Sequence, residues 1–509
     1  MTPAARTPPR APRELSEARP SGPVAAHRTH PARERARRHL VATVLSLYLL
    51  AIFEGLIRKY AAPELAKVIF FIRDPLVFYA YVHATRHRLW PRGQMFLMLS
   101  FAMAAFGVVL VVLQNATTGF EPLRLLLGAY GWRAYFLYAP LAFLIGAQFR
   151  AADLLRVASV TLVLAVPIAV LVALQFASPP GASVNVGFAS EEEYQFKNIG
   201  LDAEHVRPTG PFTSTTGQGQ FVTSAFAFLL ALLLRPPGRR GRRLVLMCAG
   251  AAGILTCLAL SGSRGTVLSC VVVGAFALAL GPIGRGAAFR TKALALPTAL
   301  AIAAAALYPI VFPEGFSTFA TRWETAAAAE SGVGGIAGRW FYGFIDFVRL
   351  IDQVPPFGWG LGYGGNASTI LGAGVDGVAR GQLAETDFAR HMVDLGPALG
   401  VLYIVFRFAL VIWLARIVLA ASRRAPDPLP MVLFGYVGLV LLTGQLTGHG
   451  TINFYGWFFA GLTIAAAREA RVAAAAAIAA RLRRSPSPTR RAPGPVRTPA
   501  AAASLALGG

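Results

Sequence analysis

The chain has 509 residues, 55% of them hydrophobic and only 14% charged, with a mean hydropathy of +0.55. Roughly a quarter of a soluble domain is charged, so a soluble globular fold is excluded. The net charge of +24 does not point to nucleic acid, because no platform of alternating basic and aromatic residues accompanies it. The cysteines, Cys248, Cys257 and Cys270, all fall in apolar runs without paired spacing, which argues against a disulfide framework.

Residues 1–38 are rich in Pro, Ala and Arg and hold almost no large apolar side chain. Such a segment cannot bury enough surface to fold and is expected to be disordered. It lacks the cleavage pattern of a simple signal peptide. Its basic end, RERARR, is expected to stay cytoplasmic beside anionic lipid.

Apolar runs then recur at the length that a bilayer's hydrocarbon requires. They predict helices at 40–57, 63–82, 94–114, 131–148, 154–176, 214–234, 244–260, 266–282, 293–312, 397–420, 429–447 and 452–467. The expected fold class is all-α: a polytopic integral membrane protein of about twelve transmembrane helices with a large late external loop. Helices 1–9 fall within 39–312, which includes an outer loop at 177–213, and helices 10–12 fall within 397–468. The large loop occupies 313–396, and a second disordered basic tail is expected at 469–509.

With the N-terminus inside, the alternate gaps are HATRHRLWPR, FRAADLLR, RPPGRRGRR, GRGAAFRTK and ASRRAPD. All are basic, as the positive-inside rule expects of cytoplasmic segments, and the C-terminal tail returns to the same side.

Orientation does not explain the remaining basic residues. Arg58 and Lys59, in EGLIRKYAAPE, sit at an external helix end. Arg73 and Asp74 fall inside the second apolar run, where ionisable residues are usually paired or functional. An internal Arg73–Asp74 pair holding helices together is one reading and catalysis the other. Arg207 stands beside a Pro-Gly turn in HVRPTGPFTS.

Arg264 lies in LSGSRGTVLS, where two glycines let the chain turn sharply. A guanidinium presented there matches two oxygens of a diphosphate at once, or it simply snorkels. Arg339 opens GRWFYGFIDFVRL, an amphipathic stretch suited to lying on the outer surface, where Arg is also an ordinary interfacial anchor. Arg322 and Arg349 are weaker candidates of the same type.

FGWGLGYGG, at 357–365, is glycine-rich. No GK[ST] follows and no βαβ unit surrounds it, so it is neither a Walker loop nor a dinucleotide fingerprint. Glycine at this density permits close backbone approach to a ligand or to another helix. ETDFARHMVDLG gathers Glu385, Asp387, Arg390, His391 and Asp394 just before an apolar helix. A Glu or His there can act as a general base; equally, Thr386 or Asp387 can cap the helix. His449, in TGHGTIN, reads as a structural or polar loop residue.

Together these features resemble the O-antigen ligase/polymerase superfamily of bacterial lipopolysaccharide O-antigen ligases and O-antigen and exopolysaccharide polymerases. The resemblance lies in the order of an external SRG turn after a long helix, a large late external loop, PFGWGLG, and a charged residue leading into DLGPALG. RPTGPFTST is similar to the family's Arg-x-x-Gly-x-Phe segment, and the likeness is firmest over roughly 200–410. Arg264 matches the family's SRG arginine, and Arg339 matches the arginine early in the large loop. Where the ligases typically carry His, counting back from Leu395-Gly396, this chain has Glu385, as in the exopolysaccharide-polymerase branch; His391 is the fallback base.

The resemblance implies an inverting, metal-independent glycosyltransferase of the bacterial cytoplasmic (inner) membrane, with both termini cytoplasmic and a periplasmic active site in 313–396. It implies a donor glycan on undecaprenyl diphosphate, an acceptor that is a glycan or lipid A-core, and surrounding membrane lipids. No cofactor, metal or nucleic acid is required. The catalytic set is Glu385, Arg264 and Arg339, with Arg207, Arg58, Lys59, Arg390 and His391 binding diphosphate or glycan. The alternative is a secondary transporter or lipid-linked glycan flippase. Transporters place their sites at mid-membrane, whereas here only Arg73, Asp74 and Arg407 lie at depth.

Overall fold

The computed structural model describes residues 31–118, 120–185, 198–199, 205–235, 240–283, 287–330, 335–365, 368, 384, 386–425 and 427–484. Most of both tails and parts of 177–213 and 313–396 lie outside these residues.

The described residues are helical almost throughout. The helices are α1 (Pro31–Leu56), α2 (Arg73–Arg86), α3 (Met95–Thr118), α4 (Pro122–Trp132), α5 (Ala139–Gln148), α6 (Ala151–Ala177), α7 (Thr215–Leu234) and α8 (Arg240–Leu260). Then come α9 (Arg264–Leu278), α10 (Ala287–Val311), α11 (Pro313–Glu330), α12 (Gly335–Ile345), α13 (Asp387–Arg424), α14 (Leu429–Thr443) and α15 (Gly450–Arg484). The described strands form one antiparallel pair, Asn198–Ile199 with His205–Val206.

Among the described residues, seven helical segments are long and apolar enough to cross a membrane: Pro31–Ala61, Met95–Ala116, Ala151–Ala177, Thr215–Leu234, Arg243–Leu260, Phe289–Val311 and Asp387–Arg424. The other five predicted stretches take different forms. The stretch at 63–82 is broken by a turn ahead of Arg73, where α2 begins. The stretch at 131–148 widens into a π-helical turn, Arg133–Leu137, before Pro140 starts α5. α9 and α14 are each 15 residues long. The last stretch lies in α15, 35 residues long and buried along most of its first half.

α15 is the central post. Gly461 lets it press against the backbone of α5, where a Cβ would meet Ala142 O at 2.8 Å. On another side Tyr48 of α1 stacks on Phe458, ring centroids 4.8 Å apart. α10 is the outermost long helix, with its apolar stretch almost wholly exposed.

The two ends of the bundle sort as the basic gaps lead one to expect. Arg33 donates to Arg88 O (3.4 Å) and Gln148 to Leu89 O (2.5 Å). Arg150 reaches Glu34 (2.7 Å), and Arg37 reaches Asp153 (2.7 Å). Arg235 pairs with Asp427 (2.8 Å), and Lys292 donates to Arg235 O (3.4 Å). Each basic gap is thus tied to another at one end. At the opposite end Lys59 donates to Thr209 Oγ1 (2.5 Å), Tyr60 to Val184 O (2.7 Å) and Gln114 to Phe357 O (2.7 Å).

Three boundaries move. α1 begins at Pro31, inside the segment expected to be disordered, because Glu34 holds Arg37, Arg38 and Arg150 together. α15 runs on to Arg484 through an alanine-rich stretch of high helix propensity, so the C-terminal tail starts later than 469. The third lies at the site: Asp387–Leu395, assigned to the large loop, is helical and buried.

Candidate functional site

The site is built on the first turns of α13. Thr386 is the N-cap, its Oγ1 accepting from Ala389 N at 3.2 Å. Gly396, with φ 80° and ψ 172°, interrupts the helix ahead of Pro397. The short piece Asp387–Leu395 therefore stands at an angle to the rest. Removing the cap by Thr386→Ala is expected to cost about 1 kcal/mol, read as a lower unfolding midpoint of the detergent-solubilised protein.

Asp387 is the hub. Its Oδ2 accepts from Arg407 Nη1 (2.6 Å) and Leu446 N (3.1 Å). Its Oδ1 accepts from Arg390 Nη1 (3.1 Å), Thr447 N (3.1 Å) and Thr447 Oγ1 (2.8 Å). Arg407 spends its other donors on Leu441 O (2.9 Å), Leu442 O (3.4 Å) and Gly444 O (3.1 Å), the carbonyls left over where α14 ends. One carboxylate and one guanidinium thus fix the turn between α14 and α15.

Hydrogen-bond logic settles the state of His391. Arg407 Nη1 lies 3.0 Å from His391 Nε2, and arginine only donates, so Nε2 accepts. The ring proton is then on Nδ1, which faces Tyr135 OH at 3.0 Å. Tyr135 in turn donates to Asp394 Oδ2 at 3.0 Å. The chain Arg407, His391, Tyr135, Asp394 runs in one direction. It leaves His391, fully buried, no free ring nitrogen for a substrate.

The glycine-rich loop closes on the same piece of helix. Asp394 Oδ1 accepts from Gly364 N (2.6 Å), and Arg390 Nε donates to Gly364 O (2.6 Å). Trp359 N donates to Val393 O (2.7 Å). Gln114 of α3 clamps the other side, donating to Phe357 O (2.7 Å) and accepting from Leu361 N (3.0 Å). The glycines are there for backbone contact: a Cβ on Gly358 would meet Asp394 O at 2.7 Å.

A second charged cluster lies beside the first. Glu54 faces Arg73 (2.8 Å) and Arg58 (3.4 Å), while Asp74 faces Arg133 (2.5 Å) and Tyr138 OH (2.8 Å). Arg73 and Asp74 do not pair with each other; each takes its partner from another helix.

The sequence candidates divide as follows. Arg58, Lys59, Arg207, Arg390 and His391 all stand at the end opposite the basic gaps, and Lys59 and Arg207 line one recess with Thr209. Arg264 opens α9, whose N-cap is Ser263, and its guanidinium lies 5.7 Å from the ring centre of Trp323 in α11. Arg339 is in α12, but its side chain, like that of Arg322, is outside the described set. Glu385 also lies outside the described residues. Tyr135, Gln114, Glu54, Arg133 and Thr447 escaped the sequence reading. Polar residues inside apolar runs were the available signal for Gln114 and Arg133, and nothing singled out Tyr135.

Among the described residues no three His, Cys, Asp or Glu side chains converge to hold a metal ion. Burial and the nearby Arg390 hold His449 below the usual imidazole range, with Asp387 pulling the other way. No family model matches the chain, and no curated protein matches it.

Proposed function

We propose that the chain is an inverting, metal-independent glycosyltransferase of cell-surface polysaccharide assembly. It moves glycan from undecaprenyl diphosphate to a sugar hydroxyl at the periplasmic face of the inner membrane. One observation carries this: Arg58, Lys59, Arg207, Arg264 and Arg390 stand at the end of the bundle opposite the basic gaps, Lys59 and Arg207 lining one recess. Lipid-borne diphosphate needs such guanidinium groups. The alternation of helices between the two ends supports twelve passes with both termini inside.

Arg264 and Arg339, with Arg207, Arg58 and Lys59, hold the diphosphate and stabilise the charge that develops as it leaves. The acceptor oxygen bonds to the anomeric carbon as the carbon–oxygen bond to the diphosphate breaks. Its proton passes to Glu385, undecaprenyl diphosphate departs, and one displacement inverts the centre. Glu385 is the base of choice because both nitrogens of His391 are engaged.

Arg264→Ala and Glu385→Gln at normal expression are each expected to reduce polymer or glycan-capped lipid in cells roughly 100-fold or more. Unchanged glycan length and amount would remove those roles. A transporter or flippase is separated by assaying purified protein with no ion gradient: release of undecaprenyl diphosphate belongs to the enzyme alone.

A further inference from the structure

The turn Gly448-His449-Gly450 begins α15. The first N–H groups of a helix have no acceptor within it and carry partial positive charge. Here the ladder starts with Asn453 N donating to His449 O at 2.9 Å. Two buried guanidinium groups flank this end. Arg390, 4% exposed, lies against Gly448. A Cβ at 448 would collide with Arg390 Nη1, and would stand 2.5 Å from its Cζ and 2.9 Å from its Nη2. Arg73, 1% exposed, lies against Gly450, with Nη2 3.4 Å from where a Cβ would stand. Gly448 and Gly450 are at most ~7 Å apart along the chain, so both groups meet one helix N-terminus.

Neither guanidinium is saturated. Arg390 uses Nε on Gly364 O and Nη1 on Asp387, and its Nη2 makes no hydrogen bond among the described residues. Arg73 Nε stands 2.8 Å from Glu54 Oε2, close enough for an ion pair but without hydrogen-bond geometry. Its Nη1 makes only a long bond, 3.4 Å, to Gly450 O. Charge tells the same story. Glu54 is shared by Arg58 and Arg73, and Asp387 by Arg390 and Arg407. Asp394 is held by Gly364 N and Tyr135 OH. Buried guanidinium donors left open beside a positive helix end favour an anion there.

We propose that the N-terminus of α15, between Arg390 and Arg73, is an oxyanion site that takes a phosphate or diphosphate group. Its glycines let the two guanidinium groups lie directly against the helix end. That the group is the donor's lipid-linked diphosphate rests on the glycosyltransferase reading; the site itself does not.

The test uses purified full-length protein in phospholipid-free detergent, titrated with inorganic pyrophosphate at constant ionic strength. Hydrogen exchange follows the amides of 448–452, and calorimetry gives affinity. Pyrophosphate should protect these amides at least tenfold in the wild-type protein. Arg390→Lys and Arg73→Lys, which keep the charge but lose the fork, should each weaken binding at least fivefold. Absence of protection at 448–452 in the wild-type protein overturns the proposal whatever the variants do. So does binding that both variants leave unchanged. Farnesyl diphosphate binding more tightly than pyrophosphate assigns the anion to a lipid; equal affinity assigns it to a soluble phosphate. Pyrophosphate bound here without glycan transfer retires the enzyme and keeps the site. Glycan transfer with no anion at 448–452 does the reverse.

Discussion

Asp387→Asn is expected to destabilise the protein by about 3–5 kcal/mol, read from thermal or denaturant unfolding in detergent. The substitution keeps the shape and removes the charge. Asp387 accepts from two guanidinium groups, two backbone N–H groups and one hydroxyl, and it is 5% exposed. An amide offers one acceptor oxygen where the carboxylate has two, and its NH2 would face another donor. Arg407 and Arg390 would be left buried without their anion, which is the costly case. His391→Gln is the comparison: it removes a neutral link and is expected to cost about 1–2 kcal/mol. A loss below about 1 kcal/mol for Asp387→Asn would mean that this carboxylate is not the hub that ties the 444–449 turn to α13.

Two kinds of information were legible in the chain, and they failed in different places. The alternation of apolar runs with basic gaps predicts which segments meet, and the hydrogen bonds between Arg88, Arg150, Arg235, Lys292, Asp427 and their neighbours follow that order. Hydropathy does not predict where a helix breaks, because the cause lies in partners far along the chain. Arg133 widens its helix while facing Asp74, 59 residues away. The adjacency of Arg73 and Asp74 suggests a pair, yet neighbours one residue apart on a helix point in different directions. Their partners had to come from elsewhere, and Glu54 and Arg133 supply them.

The site itself was half legible. The density of glycine in 357–365 announces close backbone approach, and Gly358 does lie on Asp394 and Gly396. What the spacing could not say is that Gly358 meets α13 and Gly362 meets α4. Thr386 as a cap was readable from its position before an apolar run, whereas the burial of Asp387, Arg390, His391 and Asp394 was not. Charged residues beside an external loop look solvated until the loop is seen to fold over them. Tyr135 and Gln114 carried no charge to flag them, and their roles appear only once α3, the Arg133–Leu137 turn and α13 are side by side.

Gly396→Ala is expected to cost at least about 3 kcal/mol, enough to reduce the yield of folded protein sharply. Two effects combine. The backbone at Gly396, φ 80° and ψ 172°, lies in a region that is essentially reserved for glycine. A Cβ would also collide with Pro356 O, and it would stand 2.5 Å from Gly358 N and 2.6 Å from Pro356 C. Those atoms are backbone and cannot swing aside. Gly93 separates the two effects: its φ is also positive, 69°, but a Cβ there meets nothing within 4 Å. Gly93→Ala should therefore cost only the conformational share, about 1–2 kcal/mol. If the two substitutions prove equally mild in unfolding experiments, the glycine-rich loop does not press on α13. The 387–395 piece would then lose the wall that holds Asp394, Arg390 and the α15 N-terminus in one place.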